Sequence, residues 1–177
     1  MLDEDDKLGR RQPADIDALV ATLNAQVDAA NELKAARAQW SRRAPAYRRY
    51  RRSMNGAFNA FKSATPVLEK IKTMTGPPAR EIGEAASRLA KADRNIAKVV
   101  PPEELAASHA LVRSAWELAQ NAMRLRVDSV SANNVAGEQQ ASSAAAGALM
   151  LYTKARADLT AQMERPSAKP FDRAQGK

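Results

Sequence analysis

The chain has 177 residues and a formal net charge of +8, from 28 lysine and arginine residues against 20 acidic ones. This length suits one domain with a sizeable core. The absence of cysteine excludes disulfides, thiol catalysis and cysteine-ligated metal centres, and seven glycines with eight aromatic residues are a poor supply for a β-sandwich or barrel.

Two helices are predicted before residue 75, because apolar residues recur there at spacings of three and four. The first begins near Pro13, and Pro45 is expected to end it. Pro66 is expected to kink the second, since proline removes a helical hydrogen bond. The first apolar stripe is Ile16, Val20, Leu23, Val27, Ala30 and Leu33. The second is Tyr47, Tyr50, Met54, Phe58, Phe61, Leu68 and Ile71.

Three more helices are predicted after the turn signal at residues 75–78. Pro101 and Pro102 open the fourth helix, and Gly137 lies in the turn before the fifth. The predicted helices lie near 13–43, 46–74, 77–98, 102–132 and 137–165. Short connections favour antiparallel neighbours, so the sequence predicts an all-α fold, an up-and-down antiparallel bundle of four to five long amphipathic helices.

The bundle is predicted to be a single domain over residues 13–165. The mixed-charge residues 1–12 and the aperiodic residues 166–177 are predicted to be disordered. The acidic N-terminus is unlike a signal peptide, and no stretch approaches the roughly 20 apolar residues that cross a bilayer. We therefore expect a soluble, cytoplasmic chain as given, secreted or periplasmic if a leader has been removed.

The excess positive charge is concentrated in residues 41–62, which hold seven basic residues and no acidic one. Arginine forks suit phosphate or carboxylate, and interleaved aromatic rings could stack on bases or lie at a lipid headgroup boundary. In the alternative interpretation, Tyr47, Tyr50 and Met54 belong to the core and the arginines form a solvated helix end. The anion-binding candidates are Arg42, Arg43, Arg48, Arg49, Arg51 and Arg52, flanked by Trp40, Tyr47 and Tyr50.

His109 is the only histidine, so a multi-histidine metal site is excluded. We expect it to be a hydrogen-bonded histidine in the core or at its boundary. The small side chains of residues 142–148 favour close packing against the fourth helix, with an oligomer seam or a ligand cavity as alternatives. The candidate cavity lining is His109, Trp116, Met123, Met150 and Tyr152.

The function expected from the sequence is binding, because enzyme, cofactor and metal motifs are missing. The first hypothesis is a non-enzymatic interaction module whose arginine-rich corner, residues 42–52, contacts an acidic protein, lipid headgroups or a nucleic-acid backbone. The alternatives are a bundle that binds a small apolar ligand and a structural protein that self-associates through leftover helix stripes.

Overall fold

The computed structural model describes residues 13–168, and the chain is all-α over this range, with no strand. A short 3-10 turn, Glu103–Leu105, precedes the third helix. The all-helical prediction is confirmed. The four α-helices are α1 (Pro13–Lys72), α2 (Ala79–Ile96), α3 (Ala106–Ser131) and α4 (Val135–Met163).

The described residues fall into two compact units. The first holds residues 13–43 and 165–168, and the second holds residues 44–164. In the first unit, the side chain of Arg37 donates from Nε to the carbonyl of Pro166 at 3.1 Å. The predicted disorder of residues 1–12 and 169–177 lies outside the described residues, and the single domain over 13–165 stays a prediction.

The helix break expected at Pro45 is not present, because α1 includes both Pro45 and Pro66. Both prolines are exposed. The carbonyl four residues before each proline has no N–H partner in the helix and can be solvated instead. A proline inside a helix costs about 3 kcal/mol or more. The buried stripe that follows Pro45 offsets this cost, since fully burying one large apolar side chain contributes about 1.5–3 kcal/mol.

All four helices contribute buried side chains to the core of the second unit. The residues of α1 at spacings of three and four from Tyr47 onward are buried, as the periodicity predicted. The buried stripe of α1 includes Tyr47, Tyr50, Met54, Phe58, Phe61, Leu68 and Ile71. The buried side chains of the other helices include Ile82, Leu89 and Ile96 of α2, Val112, Trp116, Ala119 and Met123 of α3, and Ala141, Ala145, Ala148, Ala155 and Leu159 of α4.

The alanine-rich face of α4 packs against α3. A Cβ placed on Gly147 would lie 3.3 Å from Cδ1 of Leu118, so the missing side chain lets the two helices approach closely. The pair is also joined near both ends. Ser108 donates to Gln162 at 3.1 Å, and Arg126 forms an ion pair with Glu138 at 2.9 Å.

None of the helices between residues 13 and 168 combines the length and apolar content that a bilayer crossing requires.

The connection between α1 and α2 depends on a glycine in the left-handed region. Gly76 has a φ of +69°, and a Cβ placed there would lie 3.0 Å from Nη2 of Arg126. Arg126 is only 8% exposed, and its ion pair with Glu138 limits how far the guanidinium can move. Gly76 therefore serves both the turn and the packing of Arg126.

We predict that Gly76→Ala lowers the free energy of unfolding by about 1–2 kcal/mol, the cost of left-handed backbone for an L-residue. Urea denaturation followed by circular dichroism measures the change.

Gly83→Ala is the matched control, because Gly83 lies within α2 and a Cβ there would meet no atom within 4 Å. This variant should gain about 0.5–1 kcal/mol through reduced backbone freedom in the unfolded chain. A Gly76→Ala protein as stable as the parent would contradict the role given to this turn.

Candidate anion-binding surface

The arginines of the sequence cluster are divided between the two units. Arg42 and Arg43 belong to the first unit, whereas Arg48, Arg49, Arg51 and Arg52 belong to the second. All six are exposed. Within the described chain, the four of the second unit form no ion pair with a carboxylate, so their charge is available at the surface.

Three of these arginines surround one open cleft on α1. Arg48, Arg51 and Arg52 line it together with Asn55, and its volume is about 480 Å³. The spacing of three and four residues places the three guanidinium groups on the same side of the helix.

A second open cleft continues this surface toward α4 and also has a volume of about 480 Å³. Arg51 and Asn55 line both clefts, and the second adds Lys62 from α1 and Arg156 from α4. No acidic residue lines either cleft. We call the five cations Arg48, Arg51, Arg52, Lys62 and Arg156 the basic face.

The α4 part of the basic face is held against α1 by two contacts. The guanidinium carbon of Arg156 lies 4.3 Å from the centroid of the Phe58 ring, within the range of a cation–π interaction. The Tyr152 hydroxyl donates to the carbonyl of Phe58 at 3.2 Å. Arg156 therefore lies beside the α1 cations although more than 90 residues separate them in sequence.

Arg49 lies outside the basic face and lines a different cleft of about 550 Å³. Lys98 supplies a second cation there, and Ser53 and Asn95 supply polar groups. Helical geometry thus separates Arg49 from its sequence neighbours. This cleft has two cations, fewer than the basic face, and lies beside the residues that connect α2 to α3.

The aromatic flank proposed from the sequence is only partly accessible. Tyr47 and Tyr50 are buried at 6% and 3% exposure, and Trp40, in the first unit, is half-buried. The alternative placement of Tyr47, Tyr50 and Met54 in the core is confirmed. The two tyrosine rings are consequently not available to stack on bases.

His109 is buried and pairs with Tyr50. The Tyr50 hydroxyl lies 3.0 Å from Nδ1 of His109, and the two rings meet edge to face at a centroid distance of 5.8 Å. Burial raises the pKa of Tyr50 to about 12. Burial and, secondarily, the charge of Arg113 lower the pKa of His109. Both groups are therefore neutral at pH 7, and the pair is what we expect for a hydrogen-bonded core histidine.

The five residues proposed to line an apolar cavity do not share one interior space. Trp116 is fully buried, and its ring lies 5.1 Å from that of Phe61, which stacks on Tyr152 at 3.9 Å. Met150 is 66% exposed. The prediction that Met150 faces the interior is wrong, because the alanines of α4 occupy its packed side.

The chain matches no family model, no curated protein and no solved structure. Over residues 13–168, no three aspartate, glutamate or histidine side chains are grouped so that they could hold a metal ion.

Sequence reasoning missed Lys62, Lys98 and Arg156. A signal for Lys62 is present, because positions 48, 52, 55, 59 and 62 repeat at spacings of four and three and are all polar. No comparable signal exists for Arg156 or Lys98. Their positions depend on how α4 and the end of α2 lie against α1.

We predict that His109 makes stability depend on pH. The native imidazole has a lowered pKa, whereas the unfolded one titrates near 6.5. Below that pH the unfolded state binds more protons, so the free energy of unfolding falls as pH is lowered and is fully retained above it. Urea midpoints measured from about pH 7.5 to pH 5 should fall with pH in the parent chain and less steeply in His109→Gln. Equal slopes would contradict the neutral, buried state of His109.

Proposed function

We propose that the protein is a non-enzymatic helical-bundle interaction module that binds an extended polyanion on its basic face. The observation that carries the proposal is that five cations line two adjoining clefts that no acidic residue lines. The arginine-rich corner inferred from sequence, residues 42–52, is narrowed here to Arg48, Arg51 and Arg52, with Lys62 and Arg156 added.

The shape of the basic face supports an extended partner over a single small anion. Residues 48 and 62 are separated by 14 helical positions, about 21 Å along the axis at 1.5 Å per residue. Guanidinium groups present planar forks of donors that match phosphate and carboxylate oxygens. Since Tyr47 and Tyr50 are buried, contact through charge is favoured over stacking on bases.

The charge pattern of α1 supports the same conclusion. The sequence from residue 33 to residue 68 contains no acidic residue, so the arginines at spacings of three and four have no helical counter-ions. Each such like-charge pair destabilises a helix by about 0.2–0.5 kcal/mol. A cost of this kind is typical of surfaces retained for binding, and an anionic partner would relieve the repulsion.

We further propose that the four helices have the up-and-down antiparallel arrangement. Ser108 near the start of α3 bonds Gln162 near the end of α4, and Arg126 near the end of α3 pairs with Glu138 near the start of α4. Between α1 and α4, Ser142 bonds the carbonyl of Lys72, whereas Tyr152 bonds that of Phe58. Both pairs of contacts support opposite helix directions.

We predict that Arg48→Gln/Arg51→Gln/Arg52→Gln weakens polyanion binding by roughly 100-fold, at about 1 kcal/mol per basic residue near an anionic surface. Binding is measured separately to mixed-sequence duplex DNA, phosphatidylserine vesicles and polyglutamate, each at several salt concentrations. If DNA is the partner class, the slope of the logarithm of the binding constant against the logarithm of salt concentration should become less steep by about three. Each lost phosphate contact contributes about 0.9 to that slope.

The matched control is Arg80→Gln/Arg88→Gln/Arg94→Gln on α2, which removes the same charge from exposed positions outside the basic face. It should bind like the parent chain. Failure of the parent to bind any of the three polyanions, or equal binding by the two triple variants, would overturn the proposal. The probe that responds identifies the class of partner.

A further inference from the structure

The first unit carries an apolar stripe that remains exposed. Ile16, Leu19, Val20, Leu23 and Val27 are each 49–57% exposed. Scattered apolar residues on a surface are normal, but a contiguous apolar stripe along a helix is typical of an interaction site.

The stripe has the spacing of a coiled-coil seam. Ile16, Val20, Leu23, Val27 and Ala30 follow at intervals of four, three, four and three, which is the heptad alternation of two packed helices. The next seam position is Lys34. The apolar seam is therefore short, and a cation marks one of its ends.

Charge at the two ends favours an antiparallel second copy as the occupant. Asp17 lies beside Ile16 at one end of the seam and Lys34 lies at the other, and both side chains are exposed. In a parallel pair, each Lys34 would face the partner's Lys34 across the seam, with like charges together. In an antiparallel pair, Lys34 approaches Asp17 of the partner subunit at both ends, and the helix dipoles are also opposed.

We propose that residues 16–34 form the seam of an antiparallel homodimer. In the register we propose, a seam residue of one subunit packs against the seam residue of the other subunit for which the two residue numbers add to 50. Leu23 packs against the partner's Val27, Val20 against the partner's Ala30, and the stem of Lys34 against the partner's Ile16. The ammonium group of Lys34 then reaches the partner's Asp17. All five exposed residues of the stripe lie within this interface. The dimer proposal uses none of the residues of the basic face and does not depend on the proposed polyanion binding.

The first test is the oligomeric state of the full chain, measured by sedimentation equilibrium from low micromolar to near-millimolar concentration. A seam this short predicts a weak dimer. Leu23→Lys/Val27→Lys should abolish it, whereas Ala18→Lys/Ala25→Lys, with the same added charge on the opposite helix face, should not. A monomer at every concentration, or equal loss in both variants, would overturn the proposal.

The second test fixes the direction of the helices and uses the absence of cysteine in the chain. Val20→Cys and Ala30→Cys chains are mixed, allowed to exchange and oxidised. The antiparallel seam predicts a disulfide-linked heterodimer that greatly exceeds either homodimer. A Val20→Cys homodimer as the main product would indicate parallel helices and would overturn the assignment.

Charge reversal supplies an independent readout. Lys34→Glu should weaken the dimer by placing a carboxylate beside the partner's Asp17, and adding Asp17→Lys should restore it. If the double variant dimerises as weakly as Lys34→Glu alone, the proposed pairing of Lys34 with the partner's Asp17 is contradicted, independently of the cross-linking result.

Discussion

The second unit depends on one aromatic cluster in which side chains from three helices meet. Phe61 of α1 stacks on Tyr152 of α4 with an interplanar angle of 12° and contacts Trp116 of α3 at an angle of 51°. The Trp116 indole donates to the carbonyl of Leu89 at 3.2 Å. This hydrogen bond connects α2, the remaining helix, to the cluster. Each aromatic pair contributes about 0.5–1.5 kcal/mol beyond its buried area. Because Trp116 would otherwise leave a buried donor unpaired, this bond also fixes where α2 lies against α3.

The basic face is a consequence of this cluster. Tyr152 is fixed by its stacking on Phe61 and by its hydrogen bond to the Phe58 carbonyl. Arg156 follows one helical turn later and lies over the Phe58 ring. The α4 cation is thereby placed beside those of α1, in spite of mutual repulsion. Apolar packing on the inner sides of α1 and α4 stabilises a charge distribution on their outer sides that would be unfavourable alone.

Much of the fold could be predicted from the sequence, because apolar spacing reports burial directly. The buried stripe from Tyr47 to Ile71 follows from it, and the small side chains of residues 142–148 indicate the close packing of α4 against α3. The continuity of α1 through Pro45 could not be predicted, because the penalty of a proline is local whereas the burial that offsets it is tertiary. For the candidate site, the arginines could be predicted from the sequence, but the separation of Arg49 from the basic face could not. That separation depends on the helix rotation that turns Arg49 away, and the positions of Lys98 and Arg156 depend on the packing of other helices.

The two parts of α1 show what periodicity leaves undetermined. Before Pro45 the stripe from Ile16 to Ala30 is made of Ile, Val, Leu and Ala and is exposed. After Pro45 the stripe combines Tyr, Met and Phe with Leu68 and Ile71 and is buried. The spacing is the same in both, since any helix that packs against another needs a stripe repeating every three or four residues. The side chains themselves differ. Bulky aromatic residues fill the irregular space among several helices, whereas β-branched and leucine side chains suit the regular seam between two. In α1, the stripe that carries aromatic side chains is the one that is buried along its length, so composition adds information that spacing alone does not contain.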